Sequence, residues 1–273
     1  DEADAEKAVN PYNTLTDNGM KVFIGTVTTG ACLSVVSQTK ADNMFQITPS
    51  ASAAKVIAND NCFQVCFTDP NQGTASADYI ASKGLATKVA VIYNSSDAYS
   101  SGIYDNFKAE AAAKGLDLVA SEAFTGDSKQ DFSSQLSKIK ASGAELIFLP
   151  IYYQEASLIL SQAKNAGITA KFFGCDGLDG LLNIENFDKS LAENVMLLTP
   201  FAANATDETT KKFVAAYNAK YDPSTLNQFA ADAYDAVYIV KAAAEKAGIT
   251  GDMSVSDICN ALKGAMTEIT VDG

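Results

Sequence analysis

Histidine and tryptophan occur nowhere in the 273 residues. Without histidine there is no Ser-His or Cys-His nucleophile pair, no imidazole-ligated zinc and no imidazole base titrating near neutrality. An enzyme built from this chain would have to work through Asp, Glu, Lys, Tyr or Cys alone, so a non-enzymatic role is expected. Basic residues are also in deficit, with 20 Lys and Arg against 33 Asp and Glu and a formal net charge of −13. The lysines are scattered rather than clustered, which argues against nucleic acid as a partner, because phosphate binding rests on grouped cations. No apolar run approaches the roughly 20 residues that carry a helix across a bilayer. The phosphate-cradling loops are missing too: no strand leads into GxGxxG and no GxxxxGK[ST] occurs, so no nucleotide cofactor is expected.

Cysteine is sparse, at Cys32, Cys62, Cys66, Cys175 and Cys259, with no CxxC pair. If Cys62 and Cys66 share a strand, their Cα atoms stand about 13 Å apart, against a disulfide limit of roughly 7 Å. Buried free thiols are expected; a single bridge between distant cysteines stays open, and an odd count leaves at least one sulfur over.

What is present is organised around residues 88–104, KVAVIYNSSDAYSSGIY. Val89, Val91 and Tyr93 alternate with Ala90 and Ile92 in an apolar run, the pattern of a strand covered on both faces of a parallel sheet. Asn94, Ser95, Ser96 and Asp97 then stop the strand and offer side-chain oxygens to the amides of a following helix. The hydroxyls of Tyr99, Ser100 and Ser101 are expected to lie exposed at that helix N-terminus, in the crevice beyond the strand ends where open α/β sheets hold small ligands.

The same alternation runs through the chain. Strands are expected at 22–24, 44–47, 62–67, 88–93, 116–120, 145–149, 171–173 and 194–198. Helices are expected over the first 18 residues and through Val35 and Ala41, Ala77 and Ile80, and Ile103 and Phe107. Further helices are expected over 130–141, 154–166, 207–221, 228–247 and 255–263. This predicts an α/β protein of two lobes, each a parallel sheet flanked by helices. The lobes are placed at 1–67 with 201–273, and at 68–200, with chain crossings near Thr68 and Pro200.

Several candidate site residues follow. Thr28, Thr29, Ser50 and Ser52 sit beyond strand ends, where hydroxyls and unpaired amides suit a carboxylate without any Arg; ordinary helix capping is the favoured alternative. Asp176 lies in the run GCDGLDG and suits a ligand ammonium, with capping of the next helix an equal alternative. The same run lacks the alternating oxygen ligands and terminal Glu of a calcium loop, so no metal is expected. Tyr99, Tyr152 and Tyr153 follow strand ends and suit a pocket wall, or simply packing between sheet and helix.

The ordered motifs FIGTVTTGAC, FQITPSASA, FTDPNQG, AVIYNSSDAYSSG, FTGDSKQDFSSQL, IYYQEA and FFGCDG resemble the periplasmic binding proteins of branched-chain amino-acid ABC transporters. The resemblance covers nearly the whole chain. It implies the type I periplasmic-binding fold, two hinged Rossmann-like lobes that close on an amino acid. It also implies that Thr29, the loop Ser50-Ala51-Ser52 and the hydroxyl and amide of Ser52 hold the ligand carboxylate. Asp176 would take the α-ammonium, and Tyr99 and Tyr152 would wall the ligand. A non-enzymatic, monomeric receptor outside the cytoplasmic membrane follows, with or without a lipid anchor, that hands a free aliphatic amino acid to a membrane permease. The alternative is a ligand-sensing domain of a signalling or regulatory protein on the same fold. Relatives carry an extra strand-helix-strand before the equivalent of Asp1 and a further stretch beyond Gly273, so lobe I is expected to be incomplete. The family's first-lobe disulfide has no evident counterpart, since Thr28 stands at one of its cysteine positions.

Overall fold

The computed structural model describes residues 1–271. By its own contacts the chain divides into two compact units: Asp1–Phe67, Ala203–Lys220 and Phe229–Gly273 form the first, and Thr68–Ala202 with Tyr221–Gln228 the second. Among the described residues no helix is long and apolar enough to cross a membrane.

The first unit holds β1 (Val22–Ile24), β2 (Phe45–Thr48) and β3 (Cys62–Gln64) in one parallel sheet of order β1-β2-β3. α1 (Ala5–Asp17), α2 (Thr29–Ala41), α7 (Glu208–Asn218), most of α8 (Gln228–Ala247) and α9 (Val255–Ala265) belong to the same unit. Two clusters pack around this sheet. Phe45 and Ile47 meet Ala236, Ala243, Ile258, Cys259 and Leu262, while Phe23 and Met44 meet Ala8, Tyr12, Ala31 and Val35. β2 is buried at all four positions, with apolar Phe45 and Ile47 alternating with polar Gln46 and Thr48. Gln46 is fully buried and saturated: its amide donates to the Gly25 carbonyl at 3.0 Å and its oxygen accepts from Thr39 at 2.8 Å.

The second unit is a five-stranded parallel sheet of order β5-β4-β6-β7-β8. Its strands are β4 (Lys88–Asn94), β5 (Asp117–Phe124), β6 (Leu146–Leu149), β7 (Lys171–Gly174) and β8 (Met196–Leu197). α3 (Asp69–Ser82), α4 (Ala98–Ala113), α5 (Ser133–Ser142) and α6 (Tyr153–Asn165) cover it. Successive side chains of a strand point to opposite faces, and the packing follows that rule. Val89, Val91, Leu146 and Phe148 pack with the Ile80, Ile103 and Phe107 of α3 and α4, whereas Ala90, Ile92, Ile147 and Leu149 pack with Leu136, Ile139 and Ile159 of α5 and α6. Phe107 stacks on Phe148 with ring centroids 4.1 Å apart.

Several expected boundaries move. β3 ends at Gln64, so Cys66 does not share a strand with Cys62; β2, its partner, stops at Thr48 ahead of Pro49. β5 runs on to Phe124 through Ser121 and Glu122, because an edge strand leaves polar side chains in water. Asp207 lies outside α7 and caps it, accepting from the Thr210 amide at 2.8 Å. Cys32, Cys62, Cys175 and Cys259 are buried free thiols, and Cys66 is buried as well.

Candidate functional site

Each unit carries one cluster of polar side chains beyond its strand ends. In the first unit the chain leaves β2 at Thr48, whose hydroxyl donates to the Thr26 carbonyl and accepts the Ala51 amide at 2.9 Å. This folds the loop Ser50-Ala51-Ser52 back over the start of α2. There the Thr29 hydroxyl accepts the amides of Ser52 and Ala53 at 3.2 and 3.4 Å. A hydroxyl has one proton and two lone pairs, so with both lone pairs facing amides Thr29 keeps its proton to donate. The Ser52 hydroxyl is buried, and its oxygen has no hydrogen-bond partner within the protein. Burial of such a group without a partner costs about 1–3 kcal/mol, which marks it as a donor held for something else. Ser50 and Ala51 are buried beside it.

Helix capping does not explain these hydroxyls. Thr28 occupies the N-cap position of α2 but forms no side-chain cap, and Thr29 turns to the loop instead. One detail departs from expectation: the Ser52 amide is already directed at Thr29, so the hydroxyl alone of Ser52 is left to donate outward.

In the second unit Asp97 caps α4, accepting from the Ser100 amide at 2.9 Å. That fixes the first turn, and Tyr99 and Ser100 point inward. The expectation that their hydroxyls lie exposed is therefore corrected. Tyr99 is buried against β7, and the buried Ser100 hydroxyl accepts the Asn94 amide at 2.8 Å. The inward side chain of α4 meets the end of β7, where Tyr99 donates to Asp176 Oδ1 at 2.6 Å and accepts the Gly177 amide at 2.9 Å. Tyr152 stacks on Tyr99, ring centroids 4.7 Å apart and planes 15° from parallel. Tyr153 packs instead with the α5–α6 cluster.

Asp176 is 2% exposed and opens a short 3-10 turn, Asp176–Leu178, whose N-cap position belongs to Cys175. Its backbone amide donates to Gln72 Oε1 at 3.3 Å. Burial raises its carboxyl above the ordinary Asp value, while the Tyr99 hydroxyl, the amides of Gln72 and Gln228 and the Gly177 amide pull it back down. The same burial, with the Asp176 charge, pushes the Tyr99 hydroxyl far up and keeps it a donor. The neighbouring Cys175 thiol is raised for the same two reasons and stays protonated. Among the described residues no Lys pairs with Asp176, and the sequence contains no Arg.

The second unit thus brings Tyr99, Tyr152 and Asp176 together, and the first brings Thr29, Ser50, Ala51 and Ser52 together. A carboxylate held by neutral donors beside aromatic faces suits an ammonium, and uncharged hydroxyl donors suit a carboxylate. Sequence reasoning did not single out Gln72 and Gln228, since a glutamine in FTDPNQG or at a helix start carries no pattern that separates it from a surface residue.

Comparison with known proteins identifies the family of the chain. Residues 1–273 match the family described as periplasmic binding protein. A Leu/Ile/Val-binding protein homolog from Brucella melitensis is 31% identical over 255 residues, spanning 92% of this chain and 67% of the relative. A leucine-, isoleucine-, valine-, threonine- and alanine-binding protein of Pseudomonas aeruginosa is 28% identical over 96% of this chain and 69% of its own length. Among solved structures, the Streptococcus pneumoniae branched-chain amino acid transporter substrate-binding protein LivJ, in complex with isoleucine, superposes with a TM-score of 0.82 at 29% identity. That match covers 94% of this chain and 72% of LivJ. The leucine-binding protein LivK of Thermotoga maritima gives a TM-score of 0.83 at 26% identity, covering 95% and 71%.

Proposed function

The chain belongs to the periplasmic binding protein family, and from that membership we propose that it is the receptor of an amino-acid ABC transporter. It binds a free aliphatic amino acid outside the cytoplasmic membrane and delivers it, as a monomer, to a membrane permease. It transforms nothing. The ligand carboxylate is taken by the hydroxyls of Thr29 and Ser52, with Ser50 and Ala51 shaping the loop. The ammonium is taken by Asp176, with Tyr99 and Tyr152 alongside. The units Asp1–Phe67 with Ala203–Lys220 and Phe229–Gly273, and Thr68–Ala202 with Tyr221–Gln228, serve as the two lobes, each recognising one end of the zwitterion.

The observation that carries this reading is the carboxylate of Asp176, buried among neutral donors with no resident cation. A buried anion without a counter-charge is costly, and an arriving ammonium offsets that cost. Branched-chain side chains head the candidate ligands because relatives named for leucine, isoleucine and valine are 31% and 28% identical to this chain over nearly its whole length.

Titration calorimetry with L-leucine, L-isoleucine and L-valine tests both parts. The wild type is expected to bind at least one of them at one-to-one stoichiometry. Asp176→Ala is expected to lose that binding while keeping its far-ultraviolet circular dichroism. Unchanged affinity in the variant removes Asp176 from the site; a wild type that binds no amino acid removes the function.

A further inference from the structure

The four residues of β2 face two ways. Phe45 and Ile47 enter the apolar cluster with α8 and α9. Gln46 and Thr48, two residues apart and so together on the opposite face, are polar and fully buried. A sheet needs no such face, because an apolar pair of similar volume would avoid the cost of desolvating an amide and a hydroxyl. Every polar atom of the two side chains is engaged, chiefly at the exits of β1 and β2. Gln46 donates to the Gly25 carbonyl at 3.0 Å and to Cys32 Sγ at 3.2 Å, and accepts from Thr39 at 2.8 Å. Thr48 donates to the Thr26 carbonyl and accepts the Ala51 amide at 2.9 Å. The Gly25 amide is held from the same strand, by the Ile47 carbonyl at 2.9 Å.

These contacts fall on the two pieces of backbone that present the hydroxyl donors. Residues 25–28 lead into α2, which opens with Thr29 and carries Cys32. The Ala51 amide belongs to the loop that carries Ser52. We infer that Thr48 is a positioning residue for recognition of the ligand carboxylate, with Gln46 as its support. The Thr48 hydroxyl bridges the approach to α2 and the loop 50–52, and so sets the separation between the Thr29 and Ser52 hydroxyls. It acts through them, because its proton and a lone pair are already spent on Thr26 and Ala51. The Ser52 amide lies 3.2 Å from the Thr29 hydroxyl, so a loop that drifts loosens that bond and turns both donors away from a common target. Gln46 fixes the α2 side through Gly25 and Cys32. Serine at position 48 keeps the bridge, whereas valine keeps the shape and removes it. What is held rests on the amino-acid reading; how the loop is held does not.

Two arms of one experiment separate these. In unliganded protein, amide hydrogen exchange followed by NMR reads the loop. The Ala51 amide must be protected in wild type, exchange about tenfold faster in Thr48→Val, and regain protection in Thr48→Ser, while the amides of β6 in the other unit keep their rates. In the second arm the probe is L-leucine labelled at its carboxyl carbon and amino nitrogen. In complex with Thr48→Val its carboxyl-carbon resonance is expected to move toward that of the free amino acid while the amino-nitrogen resonance stays in place. Affinity by calorimetry falls about tenfold, and Thr48→Ser restores both. A merely structural role would move the two resonances together or neither. That result overturns the inference, as does a Thr48→Ser protein that behaves like Thr48→Val, or a wild-type Ala51 amide that exchanges like an unfolded chain. Should Thr48→Val fail to fold, Gln46→Met decides by the same carboxyl-carbon shift, since it leaves the Thr48 bridge and releases the Gly25 carbonyl. If L-leucine does not bind to wild type, the amino-acid reading fails for that ligand, and exchange at Ala51 still judges Thr48.

Discussion

A Cβ built on Gly177 would lie 2.7 Å from the Ile151 carbonyl and 2.7 Å from the Tyr99 hydroxyl. Both neighbours are constrained, the first by backbone and the second by its bonds to Asp176 and to the Gly177 amide. Gly177→Ala is therefore expected to push Tyr99 off Asp176, destabilise the protein by about 1–3 kcal/mol, and weaken amino-acid binding more than any change at an exposed glycine. Thermal melting and calorimetry on the variant check both effects; an unperturbed melting temperature would mean that the turn relaxes freely. The requirement was not legible in the sequence. Gly177 reads there as one glycine among three in GCDGLDG, and only the approach of α4 to the end of β7 makes its missing side chain necessary.

Between elements, the α3–α4 contact leaves no room for a side chain against backbone. Gly73 sits in the first half of α3, and a Cβ there would come within 2.5 Å of the Ile103 carbonyl and 2.7 Å of the Phe107 amide. In an isolated helix Gly73→Ala would be stabilising by up to about 1 kcal/mol. Here overpacking against a backbone wins, and a net loss of about 1–3 kcal/mol is expected in urea unfolding. A net gain would show that the helices slide apart at little cost. Element existence was readable throughout: the period-2 run in β4, the polar stop at Asn94 and the caps at Thr68 and Asp97 are local features. Element ends were less so. β3 and β5 differ from expectation because their lengths depend on the partner strand and on edge position, neither of which is encoded in a run of residues.

For the whole molecule, the balance of carboxyl shifts sets the pH response. Burial raises Asp97, Asp176, Asp179 and Asp235 above the ordinary Asp value. The folded state then holds more protons than the unfolded chain above pH 3.8, so these groups make stability fall as pH rises through their folded values. The net charge of −13 acts in the same direction, since ionising more carboxylates adds self-repulsion. Exposed carboxylates such as Asp131, Asp207 and Asp222 are lowered by the amides they accept. Their contribution is present above the unfolded value and disappears as they protonate at low pH. The melting temperature of the unliganded protein is thus expected to be higher just above the ordinary Asp range than at pH 8, and to fall again as the exposed, lowered carboxylates protonate below it. A melting temperature that climbs steadily to pH 8 would contradict the burial of these groups.

The sequence by itself determined the class of answer. Two sets of alternating strands and helices, no histidine, no phosphate loop and a string of ordered motifs point to an α/β amino-acid receptor, and Thr29, Ser52, Tyr99 and Asp176 could be named from strand ends. Only the tertiary structure decided what those side chains do. Whether a hydroxyl caps its own helix or turns to a loop 23 residues away depends on which backbone is brought beside it. Whether a buried carboxylate finds a donor depends on distant segments, as when the Tyr99 hydroxyl of α4 reaches Asp176. Those contacts are long-range, and local sequence preference carries no information about them.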